Sequence, residues 1–405
     1  MSVKSLTSQI LSAILLGTFV GVVFGAKIAF LGALGTILIT LIKTVAVPLI
    51  FFAILDSLLT CEIHWHQTKP LFKVVFINTL CAATIGLLLA NILNPGAHLQ
   101  FADIKVSQAA IAKFHAYEGK NIFETIGNIV PDNFIEPFRV NAVISVVLIA
   151  LFIGVAARRV QKDSAYIARI DSFQNLVSVF LKIFEQILKW IIKIVPLAIF
   201  GVIAKTVGEY GFSPLKGLAI YVLVGLLGLT LQVLIVYQSW VVFCARKNLK
   251  EFWRTVKEAV VHAWGSNSSL ATLPLTLKAL EELKVSKASA RLGACVATNL
   301  NNDGILLYEA MAVLVVAQSL GLELTLLKQL EVAGLSVVAA IGITGVPEAG
   351  LISLALVLST VGLPIELLPI VLTVDWIVGR GRSVVNVLSD IVVSLVVDQE
   401  KCNAE

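Results

Sequence analysis

The amino-acid sequence predicts an all-α integral membrane protein. Of its 405 residues, 58% are hydrophobic and only 14% are charged, whereas soluble domains carry roughly a quarter charged residues. The mean hydropathy is +0.93, so the surface of a water-soluble fold would be one continuous apolar patch. Apolar segments of about 20 residues, the length that crosses a bilayer as a helix, recur along the chain. The lipid bilayer is therefore the expected environment of most of the protein.

Six apolar segments are predicted to be membrane-spanning helices: 8–26, 29–59, 71–93, 142–157, 173–204 and 216–244. The second and the fifth exceed the thickness of a bilayer, so we expect them to be tilted or to extend past it. The segment 94–139 is more polar and contains three prolines, which predicts an extramembrane connection with short helical pieces.

Basic residues predict the orientation, because Lys and Arg collect in the loops that face the cytoplasm. One set of alternate loops holds a clear majority of them: Lys4, Lys69, Lys73, Arg158, Arg159, Lys162, Arg169, Arg246, Lys247, Lys250, Arg254 and Lys257. The N-terminus belongs to this set. We therefore expect a multi-pass protein of the plasma (inner) membrane with both termini in the cytoplasm.

Composition also argues against several classes of protein. The net charge of +5 is small and lies in loops, so nucleic acid is not an expected partner. The five cysteines form no CxxC pair, so we expect no redox or metal cofactor. An enzyme would need a nucleophile–base pair or metal ligands among its buried residues, and no such set is visible. The chain is therefore not expected to be an enzyme.

From about residue 258 the apolar segments are interrupted by polar residues. The interruptions lie at 262–274, 299–304, 342–350 and 375–390. Two of them resemble broken hairpins, and each is followed by a helix with a polar interruption, which makes a crude internal repeat. Irregular backbone at membrane depth is tolerated only beside protein or a water-filled cavity, and paired broken segments mark the binding site of many transporters. The whole chain thus predicts about eight transmembrane helices and two re-entrant hairpins.

The last span carries a one-sided polar stripe. Asp375, Arg382, Asn386 and Asp390 are separated by 7, 4 and 4 residues, so a helix places them in one wedge. Gly379 and Ser389 lie in or beside the same wedge. Ionisable groups inside a span are functional candidates by default. For Asp375 and Arg380, an Asp–Arg pair that locks two helices together is at least as good an interpretation.

The residue types of the stripe suggest an anion site beside cation sites. The planar guanidinium of Arg382 matches a carboxylate, and the side chains of Asn386 and Asp390 offer the hard oxygen ligands that small cations prefer. The segment 301–304 supplies a second oxygen-rich cluster, whose Gly304 permits unwinding. Serines of the first hairpin and glycines of the second expose N–H groups at the ends of half-helices, where an anion is favoured.

These motifs make the chain similar to the dicarboxylate/amino acid:cation symporters, the glutamate-transporter-like proteins, over nearly its whole length. Residues 268–274 resemble the serine-rich tip of the first re-entrant hairpin of that family, and 301–304 resemble its Asn-Met-Asp-Gly-Thr motif. Residues 345–350 resemble the second hairpin tip, and 375–390 resemble the last helix. The segments 94–96 and 128–131 also match the family pattern.

The resemblance implies inverted repeats and an elevator-type homotrimer, in which each protomer has a scaffold and a moving transport domain. The scaffold would comprise 1–70 (helices 1 and 2) and 94–215 (the connection and helices 4 and 5). The transport domain would comprise 71–93 (helix 3), 216–250 (helix 6) and the core 251–398 (hairpin 1, helix 7, hairpin 2 and helix 8), followed by a tail, 399–405.

The resemblance also implies roles for individual residues. Arg382 would pair with the distal carboxylate of the substrate, and Asn386 would contact the other carboxylate. The remaining expected substrate-binding positions are Ser268, Ser269, Ile305, Gly345, Val346, Pro347 and Gly379. The expected ligands of the coupling cations are Asn78, Thr79, Asn301, Asp303, Asn386 and Asp390.

The chain departs from the family pattern at positions that bear on the substrate. Gly379 stands where amino-acid carriers have the Asp that receives the substrate ammonium. Ile305 replaces a pocket Thr, and Asn302 replaces the Met of the motif. Ile343 replaces a Thr near a cation, which puts one cation site in doubt. The departure at Gly379 favours a substrate without an amino group.

We therefore expect a secondary active symporter that couples uptake of a small anionic solute, preferably a C4-dicarboxylate, to a gradient of Na⁺ or H⁺. Acidic amino acids are the alternative substrates, because Glu348 could receive their ammonium; it could also carry a proton or be a solvated tip residue. A passive anion channel is the other alternative, and the oxygen-rich clusters argue against it.

Overall fold

The computed structural model of the chain describes residues 6–60, 65–99, 112, 114, 127, 130–140, 142–163, 165–296, 298, 301–341 and 349–402. Throughout these residues the regular structure is helical, and none of them lies in a β-strand. The prediction of an all-α protein is confirmed for this part of the chain.

Fifteen α-helices lie in the described ranges: α1 Leu6–Phe24, α2 Ala33–Thr60, α3 Trp65–Leu93, α4 Glu136–Arg139, α5 Val143–Val160, α6 Ile167–Ile192, α7 Val195–Tyr210, α8 Ser213–Leu231, α9 Leu249–Ser266, α10 Ser269–Glu282, α11 Lys287–Arg291, α12 Asp303–Ser319, α13 Leu326–Ile341, α14 Ala349–Thr360 and α15 Leu368–Cys402. A 3₁₀ segment, Gly25–Gly32, links α1 to α2. Two π-helical segments, Gln232–Tyr237 and Trp240–Cys244, extend α8.

The fifth predicted span is two helices rather than one long helix. The axes of α6 and α7 differ by 41°, and the break falls at Lys193 and Ile194. Pro196 occupies the first turn of α7, where its missing N–H costs nothing, whereas farther inside a helix it would break a hydrogen bond. The excess length of this segment is therefore absorbed by a bend.

Length and composition qualify three described helical stretches as membrane spans: Ser8–Thr60, Pro70–Leu93 and Pro214–Cys244. The bent pair α6 and α7 makes a fourth if it counts as one span. The chain is thus a membrane protein by its apolar helices, while the predicted total of eight spans and two re-entrant hairpins stays a prediction.

The buried apolar side chains form two separate cores. One is built mainly from α3, α8 and the helices from α9 onward. The other is built from α1, α2, α5, α6 and α7. Four residues from the C-terminal half pack in the second core, namely Ile305, Ala340, Leu356 and Leu372. They mark the face on which the C-terminal half contacts the N-terminal helices.

The first hairpin is formed by α9 and α10, which pack against each other and against α15. Capping residues determine both ends of α9. The Asn248 side chain accepts hydrogen bonds from the first turn of α9, and Asn267 ends α9 in the left-handed conformation. The second hairpin pairs α13 with α14, and its tip, 342–348, lies outside the described residues.

Candidate functional site

The polar stripe of α15 lies inside the protein. Asp375, Arg382, Asn386 and Asp390 are only 2–6% exposed, although they sit on a helix whose other neighbours are mainly valine and leucine. Buried charged and amide groups are expensive unless they are paired or bind a ligand. The stripe is therefore the candidate site.

Three elements hold the guanidinium of Arg382. Its Nη2 atom donates a hydrogen bond to Asp375 Oδ2 over 2.9 Å, and its Cζ atom lies 4.3 Å from the centroid of the Tyr308 ring, within range of a cation–π interaction. The backbone of Gly350 approaches the guanidinium so closely that a Cβ there would collide with Nη1. The arginine is thus held between α12, α14 and α15.

The ion pair of Asp375 is formed with Arg382, not with Arg380. Residues seven apart share a helix face, whereas residues five apart do not. Arg380 instead donates through Nη1 to the carbonyl oxygens of Trp264 and Gly265, over 2.6 and 3.0 Å. It thereby joins α15 to the carbonyl end of α9, where a cation is favoured by the helix dipole.

The first hairpin closes one side of the space next to Arg382. A Cβ on Gly379 would lie 3.1 Å from Arg382 Nη2 and 3.2 Å from Asn267 Oδ1. Gly379 therefore borders the guanidinium, as the sequence predicts. The tip of the hairpin reaches the same spot through Asn267, which sequence reasoning did not single out.

The remaining predicted substrate-binding residues have different surroundings, and some lie outside the described residues. The Ser268 hydroxyl accepts a hydrogen bond from the backbone N–H of Ala271 over 3.1 Å, so this side chain caps α10. Ser269 begins α10 and is half-buried. Ile305 packs in the core that is built from α1, α2, α5, α6 and α7. Four predicted positions lie outside the described residues: Gly345, Val346, Pro347 and Glu348.

A second polar cluster surrounds Asp303 at the start of α12. Its Oδ2 atom accepts hydrogen bonds from Tyr237 Oη and Ser389 Oγ, each over 2.7 Å. The Ser389 hydroxyl in turn accepts from Asn301 Nδ2 over 2.6 Å and from Asn78 Nδ2 over 3.4 Å. The cluster joins α3, α8, α12 and α15 far from solvent.

Several oxygen atoms of this region have no hydrogen-bond partner among the described residues: Asn301 Oδ1, Asp303 Oδ1 and Asp390 Oδ1. The other carboxylate oxygen of Asp390 accepts from Thr298 Oγ1 over 2.6 Å. No three His, Cys, Asp or Glu side chains group together in the described part of the chain. The donor set is thus mixed amide, hydroxyl and carboxylate oxygen, which suits a small hard cation.

Two predicted cation ligands are engaged by neighbouring helices. Asn78 Oδ1 accepts from Trp240 Nε1 over 2.7 Å, and the Asn78 carbonyl accepts from Gln232 Nε2 over 3.2 Å. The side chain of Thr79 lies next to the Asp303 carboxylate. Both residues therefore border the cluster, but the side-chain oxygen of Asn78 is already bonded to an indole.

Asn386 ties the polar stripe to the interrupted segment. Its Oδ1 atom accepts from the backbone N–H of Gly304 over 2.9 Å, and its Nδ2 atom donates to Asn302 Oδ1 over 3.4 Å. It thus lies between Arg382 and Asp390 along α15 and contacts the same segment as the cation cluster.

Gly304 is required because two backbones meet there. A Cβ on Gly304 would lie 2.7 Å from the carbonyl oxygen of Arg382 and 2.9 Å from its Cα, so no side-chain movement could relieve the clash. We expect Gly304→Ala to lower the free energy of unfolding by about 1–3 kcal/mol. The melting temperature of the purified protein should fall accordingly. Gly334→Ala is the control, because that helical glycine has open space around its Cβ position and alanine favours a helix. Equal melting temperatures for the two variants would contradict this account.

The structure adds buried residues that sequence reasoning missed. Tyr237 bonds Asp303 beside Ser389, a residue that the sequence already placed in or beside the polar wedge, and Tyr308 faces Arg382. Glu309 is completely buried in α12, and the polar groups that interact with its carboxyl group are Arg382 and Ser336. The rule that an acid inside an apolar span is a functional candidate would have found Glu309. Tyr237 carries no such signal, whereas Ser389 lies in or beside the polar wedge of the last span.

A buried arginine next to buried oxygen clusters inside apolar helices is an arrangement typical of membrane transport proteins. The chain belongs to the sodium:dicarboxylate symporter family, whose model matches residues 6–400.

Proteins called C4-dicarboxylate transport protein are similar along almost the entire chain. The one from Cupriavidus pinatubonensis is 29% identical over 97% of this chain and 91% of its own length. The one from Deinococcus radiodurans is 29% identical over 97% and 88%, and the one from Bacillus subtilis is 27% identical over 97% and 93%.

Proposed function

We propose that the protein is a secondary active symporter that couples uptake of a C4-dicarboxylate to the Na⁺ gradient. The observation that carries the proposal is the guanidinium of Arg382 facing Gly379, a position without any side chain to receive an ammonium. The names of the relatives, C4-dicarboxylate transport proteins, agree with this substrate.

The Asp375 pair makes Arg382 a preorganised anion receptor. One edge of the guanidinium is bonded to Asp375 and one face lies on Tyr308, so little side-chain entropy remains to be lost when a substrate binds. Arg382 would bind one carboxylate of the substrate. Asn386, one helical turn farther along α15, would contact the other.

Coupling would arise because the cations complete the site. Asp303 and Asp390 place two carboxyl groups in a buried region, and their charges interact. Cations bound to Asn301, Asp303 and Asp390 would offset these charges. They would also stabilise the segment 301–304, to which Asn386 is bonded through the backbone N–H of Gly304. A substrate would then bind best to the cation-loaded protein, which is the thermodynamic basis of symport.

The two hydrophobic cores support an elevator mechanism. We propose that 71–93, 216–250 and 251–398 move as a transport domain against a scaffold of 1–70 and 94–215, in a homotrimer of the plasma membrane with cytoplasmic termini. The separate core built mainly from α3, α8 and the helices from α9 onward supports this boundary. The apolar face around Ile305, Ala340, Leu356 and Leu372 would be the sliding surface.

Uptake into liposomes tests the proposal. We expect an inward Na⁺ gradient to drive accumulation of succinate or malate, and choline in place of Na⁺ to abolish it. Accumulation driven by a pH gradient alone would show coupling to protons instead. If the liposomes exchange substrate but no cation gradient drives its accumulation, the pathway is passive and the proposal is wrong.

Replacement of Asp390 should weaken sodium dependence. Asp390→Asn keeps the oxygen that bonds Thr298 but removes the charge that offsets a desolvated cation. We expect the sodium concentration for half-maximal substrate binding to rise by at least about tenfold, the cost of one charge-assisted contact. The matched control is Asp398→Asn, two turns along the same helix, where the carboxylate bonds Ser286. If the midpoint stays at its wild-type value across both sodium and pH titrations, Asp390 has a structural role only.

A further inference from the structure

The first hairpin carries a row of exposed side chains along α9. Lys250, Arg254, Lys257, Val261 and Trp264 follow one another at intervals of four, three, four and three residues, which places them on one face of a helix. All of them are exposed, Val261 to 70% and Trp264 to 43%. We call this set the α9 row. Its first three side chains are cationic, and its last two are apolar.

The opposite face of α9 packs against the protein. Phe252, Val256, Ala259 and Ala263 are buried and belong to the core built mainly from α3, α8 and the helices from α9 onward. At about 100° per residue, their mean direction lies roughly 150° from that of the α9 row. The row therefore points away from the protein, toward lipid or water.

The cations of the α9 row keep their charge unbalanced. None of the three forms an ion pair or a side-chain hydrogen bond with the described residues. The nearby acid Glu258 pairs instead with Lys278 of α10, over 3.1 Å. Glu251 is the other acid of α9, and the described part of the chain shows no ion pair between it and Arg254. The start of the row thus suits an anionic partner.

The two ends of α9 lie at different depths in the membrane. Its first residue, Leu249, follows the candidate span Pro214–Cys244 by five residues, and α9 packs beside the end of that span. At the base of the hairpin, Ser286 bonds Asp398 near the C-terminal end of α15. The carbonyl end of α9 accepts hydrogen bonds from Arg380, well inside α15. The helix α9 therefore runs from a membrane surface toward the interior of the bilayer.

The α9 row consequently changes from cationic to apolar with depth. At about 1.5 Å per residue, Lys250 and Lys257 are about 10 Å apart along α9, and Trp264 lies about 10 Å beyond Lys257. Long basic side chains at the edge of a membrane reach the headgroups with their charged ends, and Trp is favoured at the interface. One leaflet has the same order, from charged headgroups to acyl chains.

We propose that the α9 row binds an anionic phospholipid, in the leaflet where the span Pro214–Cys244 ends. The lipid phosphate would lie among the three cations, and an acyl chain would cover Val261 and Trp264. Clusters of Lys and Arg beside a membrane span attract anionic lipid. This inference concerns the lipid around the protein and does not depend on which solute the protein carries.

A row that faces water makes a different prediction. Single exposed apolar side chains are common on proteins, so Val261 and Trp264 could border an aqueous opening beside the hairpin. In that case a water-soluble quencher would reach Trp264, and phospholipid acyl chains would not.

The first experiment follows the melting temperature of purified protein in detergent during titration with phosphatidylglycerol or phosphatidylcholine. We expect phosphatidylglycerol to stabilise the wild type at a lower concentration, because only this lipid has a net negative charge. Replacement of Lys250, Arg254 and Lys257 together by Gln should raise the phosphatidylglycerol concentration for half-maximal stabilisation by about 100-fold, or about fivefold for each cation. High salt should also weaken the preference, because exposed charges are screened.

The matched control replaces Lys284, Lys287 and Arg291 together by Gln. These residues are exposed and follow the hairpin directly, so the change in charge is the same. No large apolar residue of the described segment 271–292 is exposed, so these cations have no apolar extension for an acyl chain. The control should keep the wild-type response to phosphatidylglycerol. If both triple variants lose it equally, net charge alone explains the response and the proposal is wrong.

The second experiment tests the apolar end of the row. The emission of Trp264, taken as the difference between wild type and Trp264→Phe, should be quenched by phosphatidylglycerol with brominated acyl chains. The same fraction of brominated phosphatidylcholine should quench it much less, and the triple variant of the α9 row should abolish the difference. Quenching by aqueous acrylamide but by neither lipid would overturn the proposal. Glycerol 1-phosphate, which has the charge without acyl chains, should not stabilise the protein; stabilisation by it would show a site for soluble phosphate instead.

Discussion

Arg382→Ala is expected to abolish transport of dicarboxylates. The guanidinium is held by Asp375, Tyr308 and the backbone of Gly350, so its position is determined before any substrate binds. Loss of a charge-assisted contact in a dry site costs on the order of 2–5 kcal/mol. Binding of succinate, measured by calorimetry on purified protein, should weaken by a factor of about 30 or more.

The ion pair between Asp375 and Arg382 means that Arg382→Ala alone affects stability as well as binding. The same pair suggests the control. Alanine at position 382 leaves the Asp375 carboxylate buried and unbalanced, which is strongly destabilising. The double variant Arg382→Ala with Asp375→Asn removes both charges and should recover the melting temperature but not the binding of substrate. Recovery of wild-type uptake in the double variant would show that Arg382 serves the fold and not the substrate.

Gly379→Asp is expected to change the preferred substrate from a dicarboxylate to aspartate. The new carboxylate would project into the space between Arg382 and Asn267, whose neighbouring atoms are the ends of flexible side chains and can give way. An ammonium in that space would gain a partner, whereas in the wild type it would be buried without one. We expect the preference for malate over aspartate to fall by at least about 100-fold, the size of a buried charge-assisted interaction.

The measurement is competition of unlabelled malate and aspartate against labelled succinate uptake. Glu348→Gln is the companion variant, because a carboxylate on the second hairpin is the other possible ammonium partner. It should leave the competition pattern close to wild type. If wild-type protein already prefers aspartate and Glu348→Gln removes that preference, the dicarboxylate assignment is wrong, though the protein remains a transporter.

The sequence by itself determined the class of the protein and indicated which polar side chains of its spans are buried. An apolar chain that is poor in charge has to lie in lipid, and ionisable groups in its spans have to face the interior. For this reason Arg382, Asn386, Asp390 and Asp303 could be predicted as buried. The spacing of the stripe follows from helix geometry alone, and no tertiary contact was needed to find it.

Most of the partners of these side chains were decided by the tertiary structure. Tyr237, Ser389 and Asp303 are far apart along the chain, and their bonds exist because α8, α12 and α15 pack side by side. Helix spacing allows Asp375 to pair with Arg382, but the contacts of the guanidinium with Tyr308 and Gly350 come from other helices. Asn267 reaches Gly379 only because the first hairpin folds back onto α15. Long-range contacts of this kind depend on how helices pack, and periodicity along one helix carries no information about its neighbour.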